Sequence, residues 1–167
     1  MALLQLIDRK NPSNKTYSYL PLSTQISPSI GNNISIASYP ANILGTNGIN
    51  FLLSVQLEPL KISNIFSFSS DETDLIETTD SLQAQPGSSG GAVLDSTGNV
   101  IGVVAITVAG DSPFAKHARA ITISEINKTI QGDTGMTLSS ILSSDLTGIT
   151  QQFNSNKASL VSMLLGV

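Results

Sequence analysis

The residues with the clearest chemical potential lie in one glycine-rich segment, residues 85–95, which reads Gln-Pro-Gly-Ser-Ser-Gly-Gly-Ala-Val-Leu-Asp. A serine hydroxyl acts as a nucleophile when it projects from a tight turn beside a general base. Ser89 stands at the centre of the segment, and Gly87 permits backbone conformations that are closed to other residues. The N–H groups of Gly87 and Ser89 could converge on a developing oxyanion, which is worth roughly 3–4 kcal/mol per donor. The same composition also fits an ordinary hairpin loop, so the choice between a catalytic turn and a hairpin loop depends on the strands and turns around the segment.

Short apolar runs separated by turn residues surround this segment and predict an all-β antiparallel barrel or sandwich. β-Branched residues are concentrated between positions 93 and 106, which favours strands over helices. The predicted strands cover residues 2–7, 33–38, 51–57, 62–68, 91–94, 100–108 and 117–123, with turns at residues 11–12, 31–32, 46–48, 85–87 and 96–99.

The pattern changes to a helical one after His117. Residues 124–130 are predicted to form a short helix with Ser124 as its N-cap. A second helix is predicted over residues 137–153 because six apolar residues share one helical face, namely Leu138, Ile141, Leu142, Leu146, Ile149 and Phe153. Residues 160–167 are apolar but too few to cross a bilayer.

The motif at residues 87–91, Gly-Ser-Ser-Gly-Gly, is followed at 98–103 by Gly-Asn-Val-Ile-Gly-Val. Together these resemble the serine segment of trypsin-like (chymotrypsin-fold) serine peptidases, and residues 36–40, 74–80 and 117–122 resemble stretches of their bacterial HtrA-like members. The resemblance covers about residues 1–131, as a partial peptidase domain. It implies the second barrel of the chymotrypsin-like double-barrel fold, preceded by the last strand of the first barrel. Residues 132–167 are expected to form a helical C-terminal extension.

This resemblance implies a role for each residue that matches the motif. Ser89 corresponds to the nucleophile, and the amides of Gly87 and Ser89 to the oxyanion hole. Gln83 corresponds to the floor of the primary specificity pocket, whose wall is formed by Ala105, Ile106 and Thr107. None of these four is charged. Ser88 replaces the Asp that precedes the nucleophile in animal trypsins, which argues against activation through a newly cut N-terminus.

The base and its orienting carboxylate are expected outside the sequence. In the family, His and Asp precede Ser along the chain, and residues 1–6, Met-Ala-Leu-Leu-Gln-Leu, resemble the stretch that follows the catalytic Asp. Both partners are therefore expected upstream of Met1, within a missing N-terminal barrel. His117, the only histidine, follows the serine and is interpreted as a strand residue. Asp8, Asp80 and Asp95 are interpreted as loop or turn charges.

The resemblance implies a serine endopeptidase that hydrolyses a polypeptide substrate without a cofactor, with this chain inactive by itself. The alternative is a non-catalytic protein-binding barrel that has lost the first half. Nucleic acid is not an expected partner, because the net charge is −4 and no basic run is present. Absence of cysteine excludes disulfides and thiolate metal sites, and no His, Asp and Glu set has metal-ligand spacing. Neither a signal peptide nor a membrane span is evident; an extracytoplasmic or secreted bacterial location is favoured.

Overall fold

The computed structural model of the chain describes residues 18–24, 27–40, 55–68, 72–110, 116–143, 148 and 162. Along these residues the six strands come first and the two helices follow. The strands are Asn33–Ser38 (β1), Gln56–Phe66 (β2), Leu75–Thr78 (β3), Ala92–Asp95 (β4), Val100–Ala109 (β5) and Lys116–Thr122 (β6), and the helices are Ile123–Thr134 (α1) and Leu138–Ser143 (α2).

The strands form a closed barrel in the order β1-β2-β3-β6-β5-β4. Every neighbouring pair is antiparallel, and β1 closes the barrel because it pairs with both β2 and β4. The predicted fold class, an antiparallel β-barrel with C-terminal helices, is confirmed by this arrangement.

The barrel is filled by branched aliphatic side chains that alternate along the strands. In β1, Ile34 and Ile36 point inward, and they meet inward-facing residues of the other strands. Each such side chain stabilises the fold by about 1.5–3 kcal/mol on burial. A second cluster lies outside the barrel, where α1 and α2 pack on it; its buried members are Val100, Ile123, Ile126 and Leu138.

The predicted strands are confirmed at β1, and within one or two residues at β4, β5 and β6. The predicted break between residues 57 and 62 is wrong, because β2 runs continuously from Gln56 to Phe66 through Pro59. Pro59 is tolerated because β2 pairs with β3 only from Ile62 onward, so one side of the strand needs no ladder hydrogen bond at Pro59. The strand predicted at residues 2–7 lies outside the described residues.

Helix α1 begins at Ile123, one residue before the predicted start, and its N-cap lies two residues before the predicted one. Its N-cap is Thr122 and not Ser124, since the Thr122 hydroxyl accepts the Glu125 N–H at 3.2 Å while Ser124 is already helical. Gly135 ends the helix in the left-handed conformation, at φ 73°. The division predicted at residue 131 falls within α1 and stays a prediction.

In α2, Leu138 and Ile141 are buried as predicted, whereas Leu142 is 55% exposed. The rest of the helix predicted to reach residue 153 lies outside the described residues, apart from Gly148. No helix in the described ranges has both the length and the apolar character needed to cross a membrane.

Candidate active site

The segment between β3 and β4 carries the serine motif. Ser89 lies in a turn, exposed to solvent, as the sequence predicts. Gly87 adopts φ 94°, in the left-handed region that favours glycine. The local sequence therefore folds into a tight turn that presents the Ser89 side chain at the surface of the barrel.

Ser88 braces this turn from inside. Its side chain is 1% exposed, and its hydroxyl donates to the carbonyl of Gln83. Its own N–H donates to the Gln85 carbonyl at 3.1 Å, and its carbonyl accepts the Gly91 N–H at 2.9 Å. From the sequence, Ser88 is notable only because it replaces the Asp of animal trypsins. The structure shows that its hydroxyl has a specific partner, the Gln83 carbonyl.

Strand β5 flanks the other side of Ser89. The Ser89 Oγ lies 3.4 Å from the carbonyl oxygen of Ala105, and the Gly90 N–H donates to the Val104 carbonyl at 2.8 Å. Among the described residues, the N–H groups of Gly87 and Ser89 have no hydrogen-bond acceptor. Two backbone donors in this turn are thus available to an external oxygen.

The four residues expected around the specificity pocket differ in their placement. Gln83 is 3% exposed, and its Oε1 accepts the Ser38 hydroxyl at 2.6 Å. Ala105 is half-buried and lies in an irregularity of the β5–β6 ladder, between Val104 and Ile106. Such bulges re-aim side chains. Ile106 and Thr107 are exposed on β5.

Gly91 owes its identity to internal packing. A Cβ at this position would lie 2.7 Å from the Ser38 Cβ and 2.9 Å from the carbonyl oxygens of Ala37 and Ser88. The chain itself therefore fills the space that a side chain at position 91 would need.

Two residues near the motif escaped the sequence reasoning, Glu58 on β2 and Ser38 on β1. Glu58 accepts hydrogen bonds from residues 81–83, and Ser38 holds the Gln83 side chain. They lie 25 and 45 positions from Gln83, so only the strand register could have revealed them.

Three residues that the sequence predicts to be non-catalytic lie in structural positions, namely His117, Asp80 and Asp95. His117 Nδ1 lies 2.9 Å from the Thr78 carbonyl, and its Nε2 lies 3.5 Å from Asp80 Oδ1. The histidine thus anchors β6 to the end of β3. Asp95 lies at the β4–β5 turn, and Asp8 falls outside the described residues.

A buried carboxylate, that of Asp74, joins the barrel to α1. Asp74 is 1% exposed, and its Oδ1 lies 3.6 Å from Lys128 Nζ. Burial raises the pKa of Asp74, but the Phe68 N–H, Glu125 and Lys128 outweigh this effect, so the pKa is lowered overall. The pKa of Lys128 is raised, chiefly by its hydrogen bond to Glu125. This cluster stabilises the helix against the barrel.

Comparison with known proteins defines the class. Residues 1–103 match the family model of the trypsin-like peptidase domain, so the chain belongs to that family. No protein of curated function matches the sequence significantly.

Solved structures of HtrA-type and related proteases are similar to the barrel. A serine-to-alanine variant of the HtrA-type protease AlgW with a decapeptide has 16% identity and a TM-score of 0.45, over 71% of this chain and 34% of that one. The serine endoprotease from Yersinia pestis has 20% identity and a TM-score of 0.46, over 70% of this chain and 36% of that one. AlgW with a decapeptide also has 20% identity and a TM-score of 0.46, over 68% and 32%. The chain thus spans about a third of the length of these structures.

Proposed function

We propose that this chain is the serine-bearing part of an endopeptidase, which hydrolyses peptide bonds by acyl transfer through Ser89. The observation that carries the proposal is the conjunction of an exposed Ser89 hydroxyl with the two unengaged N–H groups of Gly87 and Ser89 in one turn. Membership of the trypsin-like peptidase domain family supports the same chemistry.

The reaction would follow the acyl-transfer scheme of the family. The Ser89 Oγ attacks the scissile carbonyl and its proton passes to a base, while the N–H groups of Gly87 and Ser89 stabilise the oxyanion. The base then protonates the leaving amine, and water hydrolyses the acyl-enzyme. No cofactor takes part in this sequence.

The base is proposed to come from outside the 167 residues. The family order places His and Asp ahead of Ser, and no histidine precedes Ser89 in this sequence. Exposed apolar residues that neighbour Ser38 and Gln83 in the sequence or in the strand register offer a surface for such a partner. Tyr39, Val55 and Leu57 are at least half exposed, and Leu82 is 76% exposed. We therefore propose an N-terminal barrel as the partner of this face.

The proposed specificity pocket is uncharged. Gln83 would form its floor and Ala105, Ile106 and Thr107 its wall. An Arg or Lys side chain would be buried there without a carboxylate, which is costly. We propose that the enzyme prefers small or medium uncharged side chains before the scissile bond, which profiling with a peptide library would reveal.

The test of the proposed function is the Ser89→Ala variant of the full natural chain. We expect loss of casein hydrolysis by on the order of 10⁶-fold in kcat, together with loss of labelling by a fluorophosphonate probe. Ser96→Ala, which changes an exposed serine of the β4–β5 turn, is the matched control and should retain both signals. Binding of unfolded polypeptide without cleavage or labelling would instead support a non-catalytic protein-binding barrel.

A further inference from the structure

We propose that Glu58 is a positioning residue for the turn that carries Ser89. The proposal rests on the proposed function, since it concerns how the same turn is held. Glu58 lies on β2 and is half-buried, 25 positions from Gln83 in the sequence.

The Glu58 carboxylate binds the start of the segment that leads to Ser89. Its Oε2 accepts the Ser81 hydroxyl at 2.6 Å and the Gln83 N–H at 3.1 Å. Its Oε1 accepts the Leu82 N–H at 3.0 Å. Three consecutive residues are thus fixed to one carboxylate.

Gln83 connects the Glu58 carboxylate to the serine motif through hydrogen bonds. Its carbonyl accepts the hydroxyl of Ser88, the residue just before the proposed nucleophile. Its side chain is held separately by the Ser38 hydroxyl at 2.6 Å. Glu58, Gln83 and Ser88 therefore form one hydrogen-bonded path from β2 to the oxyanion turn.

The two acceptor oxygens of Glu58 suit it to this position. Within the described part of the chain, no Lys or Arg forms an ion pair with Glu58, so its partners are the N–H and O–H donors of residues 81–83. A carboxylate accepts at both oxygens, whereas an amide would turn an NH₂ donor toward one of these donors. Glu58→Gln is nearly isosteric and should still displace the turn.

The displacement should affect the transition state more than the bound substrate. Oxyanion donors must lie where the developing charge appears, and misplacement by about 1 Å can cost about 100-fold in rate. Substrate binding should change less, because the Gln83 side chain, the proposed floor of the specificity pocket, keeps its own hydrogen bond from the Ser38 hydroxyl. Loss of Glu58 should therefore lower kcat and leave KM nearly unchanged.

The experiment compares Glu58→Gln, Glu58→Asp and Glu77→Gln in the full natural chain, with Ser89→Ala as reference. We expect Glu58→Gln to lower kcat by about 10–100-fold with KM within about threefold of wild type. Affinity for a peptidyl boronate, which mimics the tetrahedral intermediate, should fall in parallel with kcat/KM. Glu58→Asp should restore part of both, because it keeps two acceptor oxygens.

Glu77→Gln is the matched control, because Glu77 is a half-buried barrel carboxylate that pairs with Arg119 at 2.6 Å. It should lower the melting temperature without lowering kcat. If Glu58→Gln does not fold, Ser81→Ala removes one of the same contacts and should give a smaller loss of kcat.

Two results would overturn the proposal while leaving Ser89 as the nucleophile. One is a kcat for Glu58→Gln equal to that of wild type, and the other is an equal kcat loss in Glu77→Gln. Full activity in Ser89→Ala, or no activity and no probe labelling in wild type, would refute the proposed function and this inference with it.

Discussion

Gly91 occupies a position at which any side chain collides with fixed parts of the chain. Two of the three atoms that a Cβ would meet are backbone carbonyl oxygens, so they cannot turn aside as a flexible side chain would. We predict that Gly91→Ala lowers the free energy of unfolding by about 1–3 kcal/mol, in line with overpacking of a filled site. Urea unfolding followed by circular dichroism measures this change.

The control for Gly91→Ala is a substitution that should change the free energy of unfolding in the opposite direction. Gly132 lies in α1, and a Cβ there would meet no atom within 4 Å. Gly132→Ala should stabilise the protein by up to about 1 kcal/mol through helix propensity. Unchanged stability in Gly91→Ala would mean that β1 can move away from the turn, against the packing described above.

At the scale of the element, the β4–β5 turn is organised by one carboxylate. Burial raises the pKa of Asp95, but hydrogen bonds from the Thr97 hydroxyl and from Asn99 outweigh this effect and lower the pKa from 3.8 to about 2. The charged form is therefore favoured by folding. Its contribution to stability is complete above pH 3.8 and is lost as the pH falls through about 2.

We predict that Asp95 contributes about 1–2 kcal/mol to the fall in unfolding free energy between about pH 5 and pH 2. Asp95→Asn should flatten the pH profile by this amount, because the amide does not titrate. Asp133→Asn, which removes an exposed carboxylate of α1, controls for the change in net charge. Parallel pH profiles for wild type and Asp95→Asn would contradict the prediction.

The elements show why some of the structure could be predicted and some could not. β1 follows from apolar alternation over six residues, a local signal that the fold obeys. The N-cap of α1 was mistaken although a signal exists, since Thr122 and Glu125 have the Thr-x-x-Glu spacing of a capping box. The continuity of β2 through Pro59 has no local signal, because it depends on which side of the strand is paired.

The same distinction between local and non-local signals applies to the candidate active site. The turn at Gly87 and Ser89 could be predicted because its residues are adjacent in the sequence. Glu58 and Ser38 could not, because their contacts with Gln83 depend on how β1 and β2 close the barrel. Residues that hold a turn from other strands are visible only once the register is known.

At the scale of the whole molecule, the position of the only histidine determines whether the 167 residues can supply a general base for Ser89. His117 pairs with Val108 in the β5–β6 ladder, three positions along β5 from the Ala105 carbonyl that Ser89 approaches. That offset corresponds to about 10 Å along a strand, beyond hydrogen-bond reach. The ring is also engaged by Thr78 and Asp80.

We predict that the chain as printed does not hydrolyse peptides at a useful rate. A serine hydroxyl is a weak nucleophile without an adjacent base, and loss of a triad member leaves a rate only about 10³–10⁴-fold above water. The test assays the purified 167-residue chain against casein, alone and mixed with a separately expressed upstream barrel. Activity should require the mixture and should vanish with Ser89→Ala in it. Ser89-dependent cleavage by the chain alone would contradict the prediction, and His117→Ala would then show whether that histidine, displaced from Thr78 and Asp80, acts as the base.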